Sequence, residues 1–139
     1  MTAGLDNSKH PIALQRMTRR GDYLRAAQAV RQGTPAFMVQ ARARGDDAPD
    51  VRVGLTCSKK LGNAVARNRA KRRLRALVRA VMPQAARPGW DYVLIGRPET
   101  TATRPFDQMQ ADLQRALGQV HAKAAAPHGD APSAAIPPA

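Results

Sequence analysis

Cysteine, aromatic side chains and, over a long central stretch, acids are what this sequence has least of. The 139 residues include one cysteine, Cys57, so no disulfide can form within the chain and packing must hold the fold. One Trp, two Tyr and two Phe leave little for a membrane-surface helix, which needs aromatic or leucine residues opposite its basic face. No apolar run approaches the roughly 18 residues of a membrane span. The first residues, with Asp6, Lys9, His10 and Pro11 scattered among them, offer no apolar core for a secretory signal. These absences predict a cytoplasmic protein with no membrane partner.

Acids are missing altogether from Val51 to Trp90, a stretch that holds 11 of the 23 Lys and Arg residues. Against 10 acids the formal charge is +13, and such an imbalance costs self-repulsion in a compact state unless a polyanion offsets it. Nucleic acid is the first expectation, because neutralising phosphates releases counterions. A length of 139 residues predicts one domain with a single modest core.

Residues 1–15 show no period and are expected to be a mobile arm. Arg16, Arg19 and Arg20 form a cationic patch, and Asp22 is placed to cap a first helix over Tyr23–Gln32 that stops at Gly33. Ala36–Ala43 and Val51–Ser58 alternate apolar and polar residues and are predicted to be two strands of a hairpin. The acidic turn between them, with Asp46, Asp47 and Asp50, is read as solvated rather than metal-binding. Pro83, Pro88 and Gly89 mark a loop, Asp91–Gly96 a buried strand, and Pro105–His121 a last amphipathic helix. From Ala122 the Ala- and Pro-rich sequence is expected to be disordered, which leaves 16–121 as the folded domain. The fold class is therefore α+β, in the order α-β-β-α-β-α.

Between the second and third of these strands stand nine Lys or Arg residues within positions 59–79. Turning by about 100° per residue from Ala70 puts Leu74, Leu77, Val78 and Val81 on one side. Asn68, Arg69, Arg72, Arg75 and Arg79 fall on the other, so the element is a docked helix with an outward arginine face. The guanidinium fork suits bidentate contact with phosphate oxygens. Lys59, Lys60, Gly62 and Asn63 form a turn before it, where backbone N–H groups can also meet phosphate. DNA remains open at this point. However, no helix-turn-helix pairing, zinc-ligand set or zipper heptad accompanies the helix, and its place after strands favours RNA.

The run Val53-Gly54-Leu55-Thr56-Cys57-Ser58-Lys59-Lys60-Leu61-Gly62-Asn63-Ala64-Val65-Ala66-Arg67-Asn68-Arg69-Ala70-Lys71-Arg72-Arg73-Leu74-Arg75 resembles the bacterial ribonuclease P protein family. Its hallmark, Arg-Asn-Arg followed by Lys-Arg and preceded by Lys-Lys-x-Gly-Asn-Ala-Val, stands in register, and a weaker likeness extends from about Arg16 to Val120. The resemblance implies a compact α/β sandwich with a left-handed crossover through the basic helix. It also implies a subunit of an endoribonuclease whose catalytic RNA, with Mg²⁺ held mainly by that RNA, removes the 5′ leader of precursor tRNA. The resemblance implies no need for a further protein partner. Arg67, Asn68, Arg69, Lys71, Arg72 and Arg75 match the RNA-facing motif, led into by Lys59, Lys60 and Asn63, and Arg79 shares their outward face. Tyr23 matches an aromatic position lining the leader cleft. Phe37 matches a second, with ordinary core packing as its alternative. Where the family often carries another aromatic, four residues after Tyr23, this chain has Ala27.

No catalytic residue or metal ligand is expected on the protein. His10, His121 and His128 fall in or beside ends read as poorly structured, and Cys57 has the parity of a buried thiol.

Overall fold

A computed structural model describes residues 14–46, 48–57, 60 and 62–125. Five strands form one sheet: β1 (Leu14–Arg16), β2 (Val30–Gly33), β3 (Phe37–Ala43), β4 (Val51–Thr56) and β5 (Trp90–Gly96). The helices are α1 (Arg20–Ala27), α2 (Ala64–Ala85), the single turn α3 (Thr100–Thr103) and α4 (Phe106–Ala125). Strand order is β1-β4-β5-β3-β2, so β5 separates β3 from β4.

This order corrects the expected hairpin. β3 and β4 alternate as foreseen, but each pairs with β5 rather than with the other, β3 antiparallel and β4 parallel. β5 is the most apolar strand and is buried on both sides, so it takes the centre of the sheet. The true hairpin partner of β3 is β2, which lies in sequence assigned to the first helix. That helix is shorter than predicted and ends at Ala27. The arm, too, contributes a strand. Leu14 and Gln15, expected to be mobile, belong to β1, which runs parallel to β4.

Two layers cover the sheet. On one face α2 and α4 pack over Phe37, Val39, Val51, Val53, Tyr92 and Leu94, and contribute Leu74, Leu77, Val81, Leu113 and Leu117 to the main core. On the other face Ala26 of α1 and Met17, in the segment between β1 and α1, pack with Val93, with Tyr23 and Ile95 at the margin. The two faces follow the alternation along β5, Tyr92 and Leu94 one way, Val93 and Ile95 the other. α2 runs straight through Pro83, where a loop is expected from the sequence. Val81 and Met82 just before it are buried, and Ala86 N–H still reaches Met82 O at 2.9 Å.

Arginine clamps fasten the layers. Asp91 is fully buried on the α1 face of β5, directly between Arg42 on β3 and Arg52 on β4. Arg52 grips it with Nε at 2.8 Å and Nη2 at 2.9 Å, and Arg44 Nη1 lies at 3.0 Å. Arg52 also reaches up to Asp22 of α1 at 3.0 Å. Asp22 is thus not the predicted N-cap. The cap position is Arg19, without a side-chain bond, and Asp22 lies inside the first turn as the helix's anchor to the sheet. Burial works to raise its pKa, but the hydrogen bond from Arg25 and the charges of Arg52, Arg25 and Arg19 outweigh that and hold it below the usual carboxylate value. Arg73, at the flank of the apolar stripe of α2, bonds Ala102 O at 2.8 Å and Arg104 O at 2.5 Å, tying α2 to the segment before α4.

His121 corrects another expectation. It lies within α4, which continues to Ala125, and is buried rather than beside a frayed end. The Tyr92 hydroxyl accepts Arg87 N–H at 2.9 Å and lies 2.6 Å from His121 Nε2; with the neutral imidazole protonated at Nδ1, the hydroxyl's own proton goes to Nε2 and both groups are satisfied. Trp90 meets the ring edge-on at 4.9 Å. Burial, helped by the Arg87 charge, lowers the His121 pKa from 6.5 to about 4, and burial raises Tyr92 to about 12. A histidine kept neutral in the fold takes up no proton between pH 6.5 and 4, whereas the unfolded chain does. Stability should therefore fall through that window and level off below it, by about 2–3 kcal/mol at roughly pH 4.5. Urea unfolding at neutral pH and near the lower end of that window checks this. His121→Gln, which can still accept from Tyr92, should lose less stability than the wild type on acidification. Equal losses would refute the assignment.

Candidate nucleic-acid interface

Glycine and asparagine start the basic helix. Gly62 adopts φ 130°, a backbone that L side chains rarely take, and the next residue, Asn63, accepts Ala66 N–H at its Oδ1 at 2.9 Å. Arg67 Nη1 folds back onto Gly62 O at 2.7 Å and braces the turn. From there α2 presents Asn68, Arg69, Arg72, Arg75 and Arg79 as exposed residues, with Lys60 and Asn63 exposed ahead of them and Arg67 and Lys71 half-buried. Lys59 lies outside the described residues. Among the described residues no acid forms an ion pair with any cation of α2; the acids that pair are Asp22, Asp46, Asp91 and Asp112, all clamped by arginines elsewhere.

A groove of about 620 Å³ runs along the β1 edge of the sheet. Its apolar lining comes from Leu14, Met17, Val53, Leu55 and Val78, and its positive charge from Arg16, Lys71, Arg75 and Arg79. Tyr23 is among its walls. The Tyr23 ring lies over Gly54 of β4, and its hydroxyl donates to Met17 O at 3.3 Å. The structure thus brings together Tyr23, Lys71, Arg75 and Arg79 of the expected site. Asn63, at the N-cap of α2, and Arg67, Asn68, Arg69 and Arg72 on it lie beyond the groove lining. Leu14 and Met17 escape sequence reasoning because a three-residue strand is too short to show a period.

Phe37 does not belong to this surface. It is fully buried in the main core beneath α2 and α4, so of the two alternatives for it, core packing is correct and leader contact is not. Parity explains the error: Phe37 points to the face opposite α1, where Tyr23 stands. Cys57 is half-buried against the core, and burial pushes its thiol pKa up, against the pull of Lys71 and Arg67, so it is no activated nucleophile.

Comparison with known proteins matches residues 13–121 to the Ribonuclease P family model. The chain belongs to the ribonuclease P protein family. A ribonuclease P protein component from Ruegeria pomeroyi is 62% identical over 107 residues, covering 76% of this chain and 86% of that protein. One from Caulobacter vibrioides is 47% identical over 108 residues, covering 78% and 72%. The solved RNase P protein of Staphylococcus aureus superposes with a TM-score of 0.60 at 26% identity, over 75% of this chain and 93% of that one. The RNase P protein of Thermotoga maritima gives 0.60 at 26%, over 73% and 93%. Within a ribonuclease P protein fold, then, Tyr23 stands with no aromatic companion four residues on, since exposed Ala27 ends α1.

Proposed function

We propose that this chain serves ribonuclease P through two adjoining surfaces, the outer face of α2 for the catalytic RNA and the β1-edge groove for the single-stranded leader of precursor tRNA. Family membership makes it the protein subunit of the ribonuclease P ribonucleoprotein, an endoribonuclease of tRNA 5′ processing. Lys59, Lys60, Asn63, Arg67, Asn68, Arg69, Lys71, Arg72, Arg75 and Arg79 are the RNA-binding set, and Tyr23 offers a stacking platform for a leader base. The observation that carries this reading is a file of exposed cations, unopposed by acid among the described residues, leading into a groove that holds an aromatic ring.

Chemistry falls to the RNA. The chain's paired acids do not suit a resident Mg²⁺, because Asp22, Asp91 and Asp112 are each held by arginines. Mg²⁺ therefore belongs mainly to the RNA subunit, where it supplies Lewis-acid and water-activating chemistry. The protein's part is to bind, to align the leader and to screen repulsion between two polyanions. Its place of action is the cytoplasm, and the two RNAs suffice as partners. No described helix is long and apolar enough to cross a membrane. The test is precursor-tRNA cleavage by the cognate RNA with and without the protein over a Mg²⁺ series. The protein should lower the Mg²⁺ requirement; an unchanged requirement would overturn the screening role.

A further inference from the structure

Gly54 fits its place on β4 for a reason that backbone conformation does not supply. It is an interior strand residue, buried on the α1 face, where a side chain would normally contribute packing. A Cβ built there would stand 2.5 Å from Tyr23 Cε1 and 2.7 Å from both Cζ and the hydroxyl oxygen. The two elements are matched in step: Asp22 is tied to Arg52, and the next helix residue, Tyr23, lies over Gly54, two positions along the strand on the same face. The helix end is therefore pinned at Asp22, while the missing side chain at 54 lets the ring lie down against the sheet.

We infer that Gly54 is a positioning residue for leader recognition, setting the height of the Tyr23 ring above the sheet and so the stacking gap of the groove. This rests on the reading of Tyr23 as the leader-binding platform. The atoms that would collide are at the far end of a side chain and not in the backbone, so a methyl at 54 lifts the ring rather than breaking the sheet. It also draws the hydroxyl off Met17 O, the one hydrogen bond that orients it among the described residues. Gly54→Ala should behave at the site as a partial loss of Tyr23, while the outer cationic face of α2, across the sheet from α1, is untouched.

The experiment is a double-mutant cycle on the assembled holoenzyme, with Tyr23→Ala, Gly54→Ala and the pair. Preference for precursor over mature tRNA is measured beside affinity for the catalytic RNA. Tyr23→Ala should lower the preference by about five-fold or more, the lower end for one lost base stack. Gly54→Ala should lower it in the same direction, and the pair no further than Tyr23→Ala alone, with RNA-subunit affinity constant throughout. Removing the ring also removes the collision, so the pair should be more stable than Gly54→Ala by itself. If Tyr23→Ala leaves the preference intact, the leader reading itself fails. If Tyr23→Ala lowers it and Gly54→Ala does not, or if their effects multiply, the positioning role of Gly54 fails alone.

Discussion

Replacing Asp91 with alanine is expected to destabilise the fold by about 3–5 kcal/mol, the usual cost of removing one partner from a buried ion cluster. The reason is what remains: Arg42, Arg44 and Arg52 converge on that carboxylate from both neighbouring strands, and Arg44 is itself almost fully buried. Without Asp91 three guanidinium groups repel one another under α1, with only Asp22 and Asp46, among the described residues, left to answer them. A domain of this size has about 5–15 kcal/mol in total, so the variant stands near the edge of folding. Urea unfolding at neutral pH measures it, and a loss under about 1 kcal/mol, the range of a solvent-exposed pair, would show that the cluster is loosely hydrated. Removing Arg52 as well should recover part of the loss, since the damage comes from orphaned charge and the two changes are coupled.

Neutralising Arg69, Arg72 and Arg75 together should have the largest effect on RNA. All three are exposed on α2, and the ion pairs of the described residues leave them without acid partners, so each is available to phosphate. Each phosphate-binding arginine removed should flatten the dependence of log affinity on log salt by about one unit. Three units correspond to about a thousandfold in affinity over a tenfold range of salt, with little effect at the high-salt end. Binding of the triple alanine variant to the catalytic RNA across a salt series is the measurement. Thermal stability should hardly change, because all three side chains are exposed and none makes a hydrogen bond among the described residues. A weaker complex with an unaltered salt slope would mean that these arginines act other than through phosphate.

The contrast with Arg73 shows what residue type alone could not decide. Within the Lys71-Arg72-Arg73 run one arginine faces solvent while its neighbour is spent on the carbonyls of Ala102 and Arg104. Helical periodicity puts Arg73 at the flank and Arg72 outside, and that much was legible. The partners of Arg73 were not, since they lie about 30 residues on, beyond the reach of any helical period. Tyr23 and Phe37 illustrate the same limit. Both carry an aromatic ring, but one borders a groove and the other fills the core, and only the side of the sheet separates them.

Local pattern was enough for the docked basic helix, the Gly-containing turn before it, the alternating strands and the family. These are properties of neighbouring residues, fixed by a period of about 3.6 or 2 and by motif spacing. Tertiary structure alone decided the rest. It put β5 between β3 and β4, made strands of Leu14–Arg16 and Val30–Gly33, buried His121, and turned Asp22 from an expected cap into an anchor. The physical reason is common to all of these. Strand pairing, burial and charge compensation are contracted between residues far apart in the chain, and a short edge strand or a lone acid gains its meaning only from the partner that the fold sets beside it. The acid-free basic stretch pointed to a polyanion as partner; the sheet beneath it, with a glycine under Tyr23, shapes the groove where we propose the leader lies.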